Sequence, residues 1–456
     1  MQSRWSTRLT TLLALAIPMV LARMTQSVIT FADAIQVEHL GPQSLAATAT
    51  GGLNVMGLVI LPQGLAFIIQ SFVAQLAGRG DRAETPRFAI YGLGIALVAG
   101  IIGLAAIPAI DPLLSLTSYS PAVRQEMSDY MMIRFLAVAA MVGTEALGNW
   151  YGGLGNTWMQ MVAGVITMVA AVFCNFLLID GHLGAPALGV SGAAWAAVIG
   201  SWLGFAFLAI AFWRGWGNAP RTKGHLRHQL SKKEFVRVVR FGLPNGANWF
   251  LEFAAFQIFI NIVMSSLGDE TVAALNAVLA VNTIGFMPAF GLASAGAILA
   301  AQSIGAGKRD EVWPQVKTTL LCTLTWMGVM GVVYLVWPES ILALFDSKHV
   351  STNMVTIGTT MLLISAAWQL FDATSMTLSE TLRAAGDTFW TAAARLILAW
   401  VVFTPAAILV VMRWDGGPVG AMLCLVGYLA VLAALLGYRF RSGAWRKIEL
   451  IEPKLV

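Results

Sequence analysis

The sequence predicts an all-α integral membrane protein, and three observations support this prediction. Hydrophobic residues make up 58% of the 456 residues and charged residues only 11%, a composition too apolar for a water-soluble chain. Apolar segments of about 20 residues, enough to cross the ~30 Å hydrocarbon layer as a helix, recur about twelve times between short polar breaks. The second half of the chain also repeats the first. Transmembrane strands would be about 10 residues long and alternating in character, so we expect twelve helices.

The first six predicted helices form an N-terminal lobe, residues 1–213. We expect them at about residues 9–37, 49–77, 88–110, 130–150, 158–179 and 190–213. The first is not followed by a small-residue cleavage site, so we predict a retained helix rather than a signal peptide. In the second helix, Pro62 leaves a backbone carbonyl without its helical partner and predicts a bend.

Residues 214–240 are a long polar stretch, which we interpret as a cytoplasmic linker. Six more helices follow in a C-terminal lobe, residues 241–440. Two of them are expected within residues 241–307, and the others at about residues 318–337, 354–382, 389–411 and 419–438. Residues 441–456 would form a cytoplasmic tail.

An internal repeat relates the two lobes. A shift of about 227 residues places Pro18 near Pro244 and Pro62 near Pro288, and aligns AQLAGRGD with AQSIGAGKRD. This agreement of Pro, Gly and Gln at one offset indicates a duplicated six-helix unit. Because six is even, we predict two lobes of parallel topology, related by a pseudo-two-fold axis along the membrane normal. Duplication without inversion favours two rocking lobes, with substrate bound in the cleft between them, over a pore.

Lys and Arg are concentrated in the loops that this topology places inside. Only Arg124, Lys348 and Arg413 fall in outer loops. The positive-inside rule therefore predicts cytoplasmic termini, in a bacterial-type inner membrane. We interpret the basic loops as topology signals and contacts with anionic lipid, not as a surface for nucleic acid.

Polar residues inside the predicted spans are candidates for function. A charge there costs roughly 2.5 to 3.5 kcal/mol on insertion scales and therefore normally faces protein or water. On the first helix, Arg23, Gln26, Thr30 and Asp33 share one face. A water-lined cavity is the simplest account of this stripe.

The seventh and eleventh helices carry further polar residues. Asn245, Asn248 and Glu252 are spaced for one face of the seventh. Arg395 lies one to two turns inside the eleventh, and we interpret it as a cation that snorkels toward the cytoplasm.

The tenth helix has a polar face of its own, formed by Asp372, Ser375, Ser379 and Arg383. Glu145 on the fourth helix stands apart from these faces, and the sequence assigns it no role.

Motifs for catalysis or metal binding are missing from the sequence. It contains no HExxH, Walker GxxxxGK[ST], Ser/His or paired-Asp motif. Cys174, Cys322 and Cys424 lie in or beside apolar segments and form no CxxC, so they favour neither a disulfide nor a metal site. We therefore predict that the protein is not an enzyme.

Four segments together resemble the multidrug and toxic compound extrusion (MATE) family, in its NorM-like branch. They are FADAIQVEHLGPQSLAA, FGLPNGANWFLEFAAF, FMPAFGLASAGAILAAQSIGAG and FDATSMTLSETLRAAGDT. The resemblance covers essentially the whole chain. It implies a single-chain, secondary active multidrug exporter that needs no cofactor and exchanges amphipathic organic cations for H⁺ or Na⁺.

The resemblance also implies residue roles. The acids that family members use for cation coupling correspond to Asp33, Glu252 and Asp372, and Asn175 corresponds to an Asn that partners the first of them. If the coupling ion is Na⁺, Glu252 and Asp372 are its implied ligands. One turn after Asn175, Ile179 replaces a second Asp of some relatives, so a cation site in the first lobe would have fewer carboxylate ligands.

Two further departures from the family pattern are Ala197, where some relatives carry a hydroxyl, and Glu380, where a small residue is expected. The sequence assigns no role to Glu380.

The residues favour the same function without the family name. A carboxylate held away from water is poised to take up a proton or a cation. We expect the cargo to contact polar side chains of the same helix faces: Gln26, Thr30, Asn245, Asn248 and Ser375. The alternative is a flippase for a lipid-linked saccharide, which would need several basic residues for pyrophosphate. Only Arg23 is a good candidate for that role.

Overall fold

The computed structural model describes residues 2–117, 119–217, 230–343 and 352–451. These residues form helices joined by short turns, and none of the described residues forms a strand. Eleven helical stretches of the described residues are long and apolar enough to span a membrane; some of them, such as Pro42–Arg79, combine two of the helices numbered below. The number is twelve if Pro121–Phe135 and Val138–Gly153, bent by 47°, form one span. The prediction of an all-α integral membrane protein is confirmed.

The chain divides into two compact units. The first unit is Leu21–Ala247, and the second unit is Met1–Val20 together with Asn248–Val456. Both boundaries fall inside helices, α1 (Gln2–Glu38) and α10 (Lys232–Ile258). Compared with the expected lobes, residues 1–20 group with the second unit and residues 241–247 with the first.

The first unit contains eight further helices. They are α2 (Pro42–Phe67), α3 (Ile69–Arg79), α4 (Pro86–Ala106), α5 (Ile110–Ser115), α6 (Pro121–Phe135), α7 (Val138–Gly153), α8 (Thr157–Leu178) and α9 (Val190–Arg214). Local signals set their ends. Ser120 caps α6 by accepting a hydrogen bond from the Val123 amide at 3.4 Å, with Pro121 next in the chain. Gly215 ends α9 in the left-handed conformation, at φ 70°.

The predicted fourth helix, residues 130–150, is not a single straight helix. The chain breaks between α6 and α7, where the axis bends by 47°. Neither residue at the break, Leu136 or Ala137, is Gly or Pro. The Leu136 carbonyl instead accepts a hydrogen bond from the indole of Trp202 on α9, at 3.1 Å. This bond satisfies a carbonyl that the break exposes.

The second unit contains seven helices besides the start of α1 and the end of α10. They are α11 (Asp269–Gly305), α12 (Val312–Val336), α13 (Pro338–Ala343), α14 (Thr352–Ala384), α15 (Thr388–Ile397), α16 (Thr404–Ile408) and α17 (Gly417–Arg441). Three π-helical segments extend its helices: Phe259–Met264, Leu398–Phe403 and Leu409–Arg413. Short 3₁₀ turns occur in both units: Arg82–Glu84, Ile107–Ala109, His182–Gly184, Ser265–Leu267, Arg309–Glu311 and Ala444–Lys447.

The predicted linker and tail are partly ordered as helix and turn. The linker was expected at residues 214–240, but α10 already begins at Lys232, and residues 218–229 lie outside the described residues. In the tail, Trp445 is buried and stacks on Phe440 with ring centroids 5.5 Å apart. Residues 452–456 also lie outside the described part.

The matched prolines do not interrupt their helices. Pro18, Pro62, Pro244 and Pro288 all lie inside continuous α-helix. The nearest break to Pro62 comes at Ile68, where α2 gives way to α3.

The start of α10 packs closely on α2 within the first unit. A Cβ atom on Gly246 would lie 2.3 Å from the Leu61 carbonyl oxygen, and one on Gly242 would lie 2.7 Å from that of Leu65. Two glycines four residues apart therefore allow the two backbones to approach, as in other membrane helix pairs. Asn245 adds a hydrogen bond from its amide to the Gly64 carbonyl at 2.6 Å.

Candidate functional site

The acids of the second unit lie in a cluster of charged and aromatic side chains. Glu252 on α10 accepts a hydrogen bond from the Arg395 guanidinium on α15, with Nη1 and Oε2 2.8 Å apart. Its other carboxylate oxygen accepts a hydrogen bond from the hydroxyl of Tyr428 on α17 at 3.2 Å. The Glu252 side chain is 35% exposed and that of Arg395 only 16%. One edge of the ion pair is therefore open while its cation is enclosed.

Asp372 on α14 belongs to the same cluster. Its carboxylate interacts electrostatically with both Arg395 and Glu252. Ser375, one turn further along α14, is 1% exposed, and its hydroxyl donates to the Asp372 carbonyl at 3.1 Å. We therefore describe a four-residue charge cluster formed by Glu252, Asp372, Arg395 and Tyr428.

The interpretation of Arg395 as a snorkelling cation is wrong. A snorkelling side chain places its charge in water, whereas the Arg395 guanidinium is bound to Glu252 inside the second unit. A partly buried acid attracts the cation more strongly than the interface does, because the Coulomb attraction grows as the local dielectric falls.

Aromatic residues and π-helical turns fix this cluster in place. The indole of Trp400 donates to the Leu251 carbonyl at 3.1 Å, next to Glu252 in the chain. Phe403 packs against Phe259 at 5.2 Å and against Tyr428 at 5.3 Å between ring centroids. Trp400 and Phe403 lie in one π-helical segment and Phe259 in another. Such segments are rare and are frequent at functional sites.

Asp33 and Asn175 meet in the first unit, as the resemblance implied. The Asn175 amide donates to the Asp33 carboxylate at 2.5 Å, joining α1 to α8. Asn175 is completely buried, and its own amide oxygen has no hydrogen-bond partner. The buried Oε1 of Gln36, one turn after Asp33, is also without a partner. Arg134 on α6 interacts electrostatically with Asp33.

These oxygens could bind a cation, but apart from Arg134 the cluster of residues beside them is largely apolar. Ile179, which stands where some relatives carry an acid, is 2% exposed and packs in a cluster with Val37 and Val190. The described residues contain no group of three or more His, Cys, Asp or Glu arranged to hold a metal ion. The first unit therefore offers one carboxylate with amide oxygens.

Arg23 and Glu145 form a separate ion pair in the first unit. Their Nη2 and Oε1 atoms are 2.9 Å apart, and Asn149 donates to the same Oε1 at 2.8 Å. The guanidinium also lies 5.6 Å from the centre of the Phe67 ring. Glu145, which the sequence left without a role, is thus the counter-ion of Arg23.

The remaining residues expected to contact cargo differ in how far their side chains are exposed. Gln26 and Thr30 are exposed, and Asn248 is half-buried. Thr30, Asn245 and Ser375 all donate to main-chain carbonyls, Thr30 to that of Gln26 at 3.1 Å. Thr30 is exposed, whereas the polar groups of Asn245 and Ser375 are engaged within the packing.

Glu380 also has a partner. It forms an ion pair with Arg383, one turn further along α14, at 2.6 Å, and both side chains are less than 10% exposed. The pair accounts for an acid where the family pattern suggests a small residue.

A cavity of about 330 Å³ lies elsewhere in the second unit. It is lined by Trp390, Tyr438, Arg439, Ser442, Gly443, Ala444 and Lys447. None of the predicted site residues lines it. We therefore place the candidate site at the carboxylates and not at this cavity.

Comparisons with known proteins show which family and fold the chain shares. The chain matches the family model described as MatE over residues 18–177 and 250–409. The multidrug resistance protein PmpM of Pseudomonas aeruginosa is 27% identical over 445 residues, which cover 96% of this chain and 92% of that protein.

Solved structures share the fold. One, described as the outward-facing conformation of a multidrug resistance MATE family transporter, has a TM-score of 0.88 and 21% identity, covering 97% of both chains. Another, a MOP superfamily transporter from Pyrococcus furiosus, has a TM-score of 0.89 and 20% identity, with 97% of both chains covered. The latter is described as having a binding pocket of reverse polarity that suggests a different function. The shared fold does not fix the cargo, which must be argued from the residues of this chain's own site.

Proposed function

The chain belongs to the MatE family, and from this premise we propose that it exports amphipathic organic cations in exchange for inward-moving H⁺ or Na⁺. It is a multi-pass membrane transporter of the multidrug efflux type, not an enzyme, and its cargo consists of small molecules. Transport of this family is coupled to ions and needs no cofactor. The choice of organic cations as cargo is our proposal.

The charge cluster of the second unit is the observation that carries this proposal. Glu252 and Asp372 contribute two carboxylates, and Arg395 contributes one positive charge. With both acids ionised, the cluster has a net negative charge, which attracts cations and repels anions. An acidic cluster inside a membrane span is therefore suited to positively charged cargo.

Competition for these carboxylates supplies the coupling. When H⁺ or Na⁺ binds the acids, the organic cation loses its counter-charge and dissociates; when the ion leaves, the cargo can bind again. Each net charge that crosses the membrane is worth roughly 2.3 kcal/mol per 100 mV. Carboxylate oxygens are hard ligands of the kind that Na⁺ would need, and Glu252 and Asp372 are the residues we propose for it.

The first unit would contribute a second coupling residue. We propose that Asp33, held by Asn175, takes up a proton or cation during the cycle. The unpartnered oxygens of Asn175 and Gln36 support this role, because buried acceptors without donors favour a positively charged guest.

Cargo contacts and cellular placement complete the proposal. We propose that Gln26, Thr30 and Asn248 contact the cargo. Gln26 and Thr30 are exposed, whereas Asn245 and Ser375 are held in the packing by hydrogen bonds to main-chain carbonyls. The transporter would work as a monomer in the inner membrane of a bacterium, surrounded by lipid, with both termini in the cytoplasm. The excess of Lys and Arg in the inner loops supports this orientation.

The ion pairs argue against the flippase alternative. Such a protein must hold an anionic pyrophosphate, and therefore needs cations that are not already neutralised. Arg23 is paired with Glu145 and Arg395 with Glu252. The one candidate cation from the sequence, Arg23, thus already has a carboxylate partner, and so does Arg395.

Reconstituted transport tests the proposal. Purified protein in liposomes should move a fluorescent organic cation when a gradient of H⁺ or of Na⁺ is imposed, and the gradient that works identifies the coupling ion. Vesicles that also contain a lipid-linked saccharide would reveal flipping. Flipping without cation transport would overturn the proposal.

A further inference from the structure

Arg395 is a fixed positive charge inside an otherwise acidic site. Its side chain is 16% exposed, and it lies on α15, three residues before a π-helical segment begins. A guanidinium stays protonated in proteins, so this charge does not titrate away during transport. Placing a charged residue such as Arg395 inside a membrane span costs free energy, even when it is paired with an acid. A role in the mechanism would explain why Arg395 is there.

The net charge of the cluster follows from its four members. Glu252 and Asp372 together carry two negative charges when ionised, and Arg395 cancels one of them. Tyr428 donates its hydroxyl hydrogen to Glu252 and is therefore neutral. One negative charge remains, and one monovalent cation is enough to neutralise it.

We infer that Arg395 determines the charge of the cargo: by neutralising one of the two acids, it makes the site select monocations over dications. The inference rests on the proposed function and adds the selectivity of that site. A bound dication would leave one excess positive charge in a partly buried site next to the guanidinium, where repulsion is screened less than in water. Bound cargo and the coupling ion would likewise exclude each other, because the single remaining negative charge of the cluster can neutralise only one cation at a time.

Two dyes with the same ring system test this inference. Ethidium carries one positive charge and propidium two, on the same phenanthridinium ring. Their transport would be measured in proteoliposomes under one imposed ion gradient. The membrane potential would be clamped at zero, so that the charge of each dye affects its binding to the site but not the driving force on it. The wild-type protein should favour ethidium over propidium in kcat/KM.

Substitutions change the charge of the site in a defined way. Arg395→Gln leaves two negative charges, and should shift the ethidium-to-propidium ratio toward propidium on the order of tenfold, which corresponds to about 1.4 kcal/mol. Arg395→Lys keeps the charge and should keep the wild-type ratio. The double variant E252Q/R395Q restores one negative charge, and should restore the preference for ethidium.

Controls separate charge from folding. Arg413→Gln removes an exposed arginine from the far end of the same span and should not change the ratio. If R395Q does not fold, Arg395→Met carries the same prediction. A wild-type protein that transports propidium as well as ethidium, or an R395Q variant with an unchanged ratio, would overturn the inference. A wild-type protein that transports neither dye under any ion gradient would instead overturn the proposed function.

Discussion

The amide of Asn175 donates a 2.5 Å hydrogen bond to the carboxylate of Asp33. In the second unit, Glu252 is instead bound by the guanidinium of Arg395. A neutral donor leaves the charge of its acid intact, whereas a guanidinium cancels it. Asp33 and Glu252 are therefore held by different means, and substitutions of the two acids should have different effects.

Asp33→Asn should abolish or strongly reduce transport, because it removes the only formal charge that the Asp33–Asn175 pair can offer a coupling ion. Drug resistance of a sensitised host would be measured together with the amount of protein in the membrane. Glu38→Gln, an exposed acid at the end of the same helix, is the matched control and should have no effect. Full resistance in the Asp33→Asn strain would assign coupling to the second unit alone.

Asp372→Asn should reduce organic-cation transport at least tenfold. After this substitution the charge of Arg395 balances that of Glu252, so no net negative charge remains to bind cargo. Glu252→Gln should act in the same direction, because Arg395 would then balance Asp372. Initial rates in proteoliposomes measure this effect, with the exposed Asp269→Asn as the control. Unchanged rates in both D372N and E252Q would remove these acids from the mechanism.

Gly246→Ala should destabilise the protein by about 1–3 kcal/mol, the usual range for overpacking. The new methyl group would lie 2.3 Å from the Leu61 carbonyl oxygen, a backbone atom that cannot rotate away. The melting temperature in detergent would be compared with that of Gly427→Ala, where a Cβ atom meets nothing within 4 Å. Equal melting temperatures would mean that α10 and α2 do not approach as closely as described.

Glu380→Gln should lower the melting temperature more than a typical surface substitution. It removes the carboxylate from an ion pair in which the Arg383 side chain is 3% exposed, and breaking a buried pair costs about 3–5 kcal/mol. Arg441→Gln at the exposed end of α17 serves as the comparison. A variant that melts like the wild type would show that the pair contributes little.

Hydrophobicity and periodicity predicted the membrane-spanning helices well, because both are local properties of the sequence. The helix expected at residues 190–213, for example, is Val190–Arg214. The bend between α6 and α7 could not be predicted in this way. It has no Pro or Gly at the break, and the bond that satisfies it comes from Trp202, 66 positions along the chain from Leu136.

The acids of the candidate site were identified from the sequence, but their partners were not. Glu252 is conspicuous because a charge inside a span is costly. Its partner Arg395 lies 143 positions away, and only the tertiary structure brings them together. One signal was available: a cation and an acid inside spans both need neutralising, so each should have been considered as the partner of the other.

The central claim is that acids inside the membrane spans couple cation entry to cation export. The most direct test is ethidium transport by purified protein in proteoliposomes, with a pH gradient, a Na⁺ gradient or neither imposed. The account predicts accumulation of ethidium against its own gradient when one of the two ion gradients is present, and loss of this accumulation in D372N. Accumulation that persists without either gradient, or that is unaffected in D372N, would contradict it.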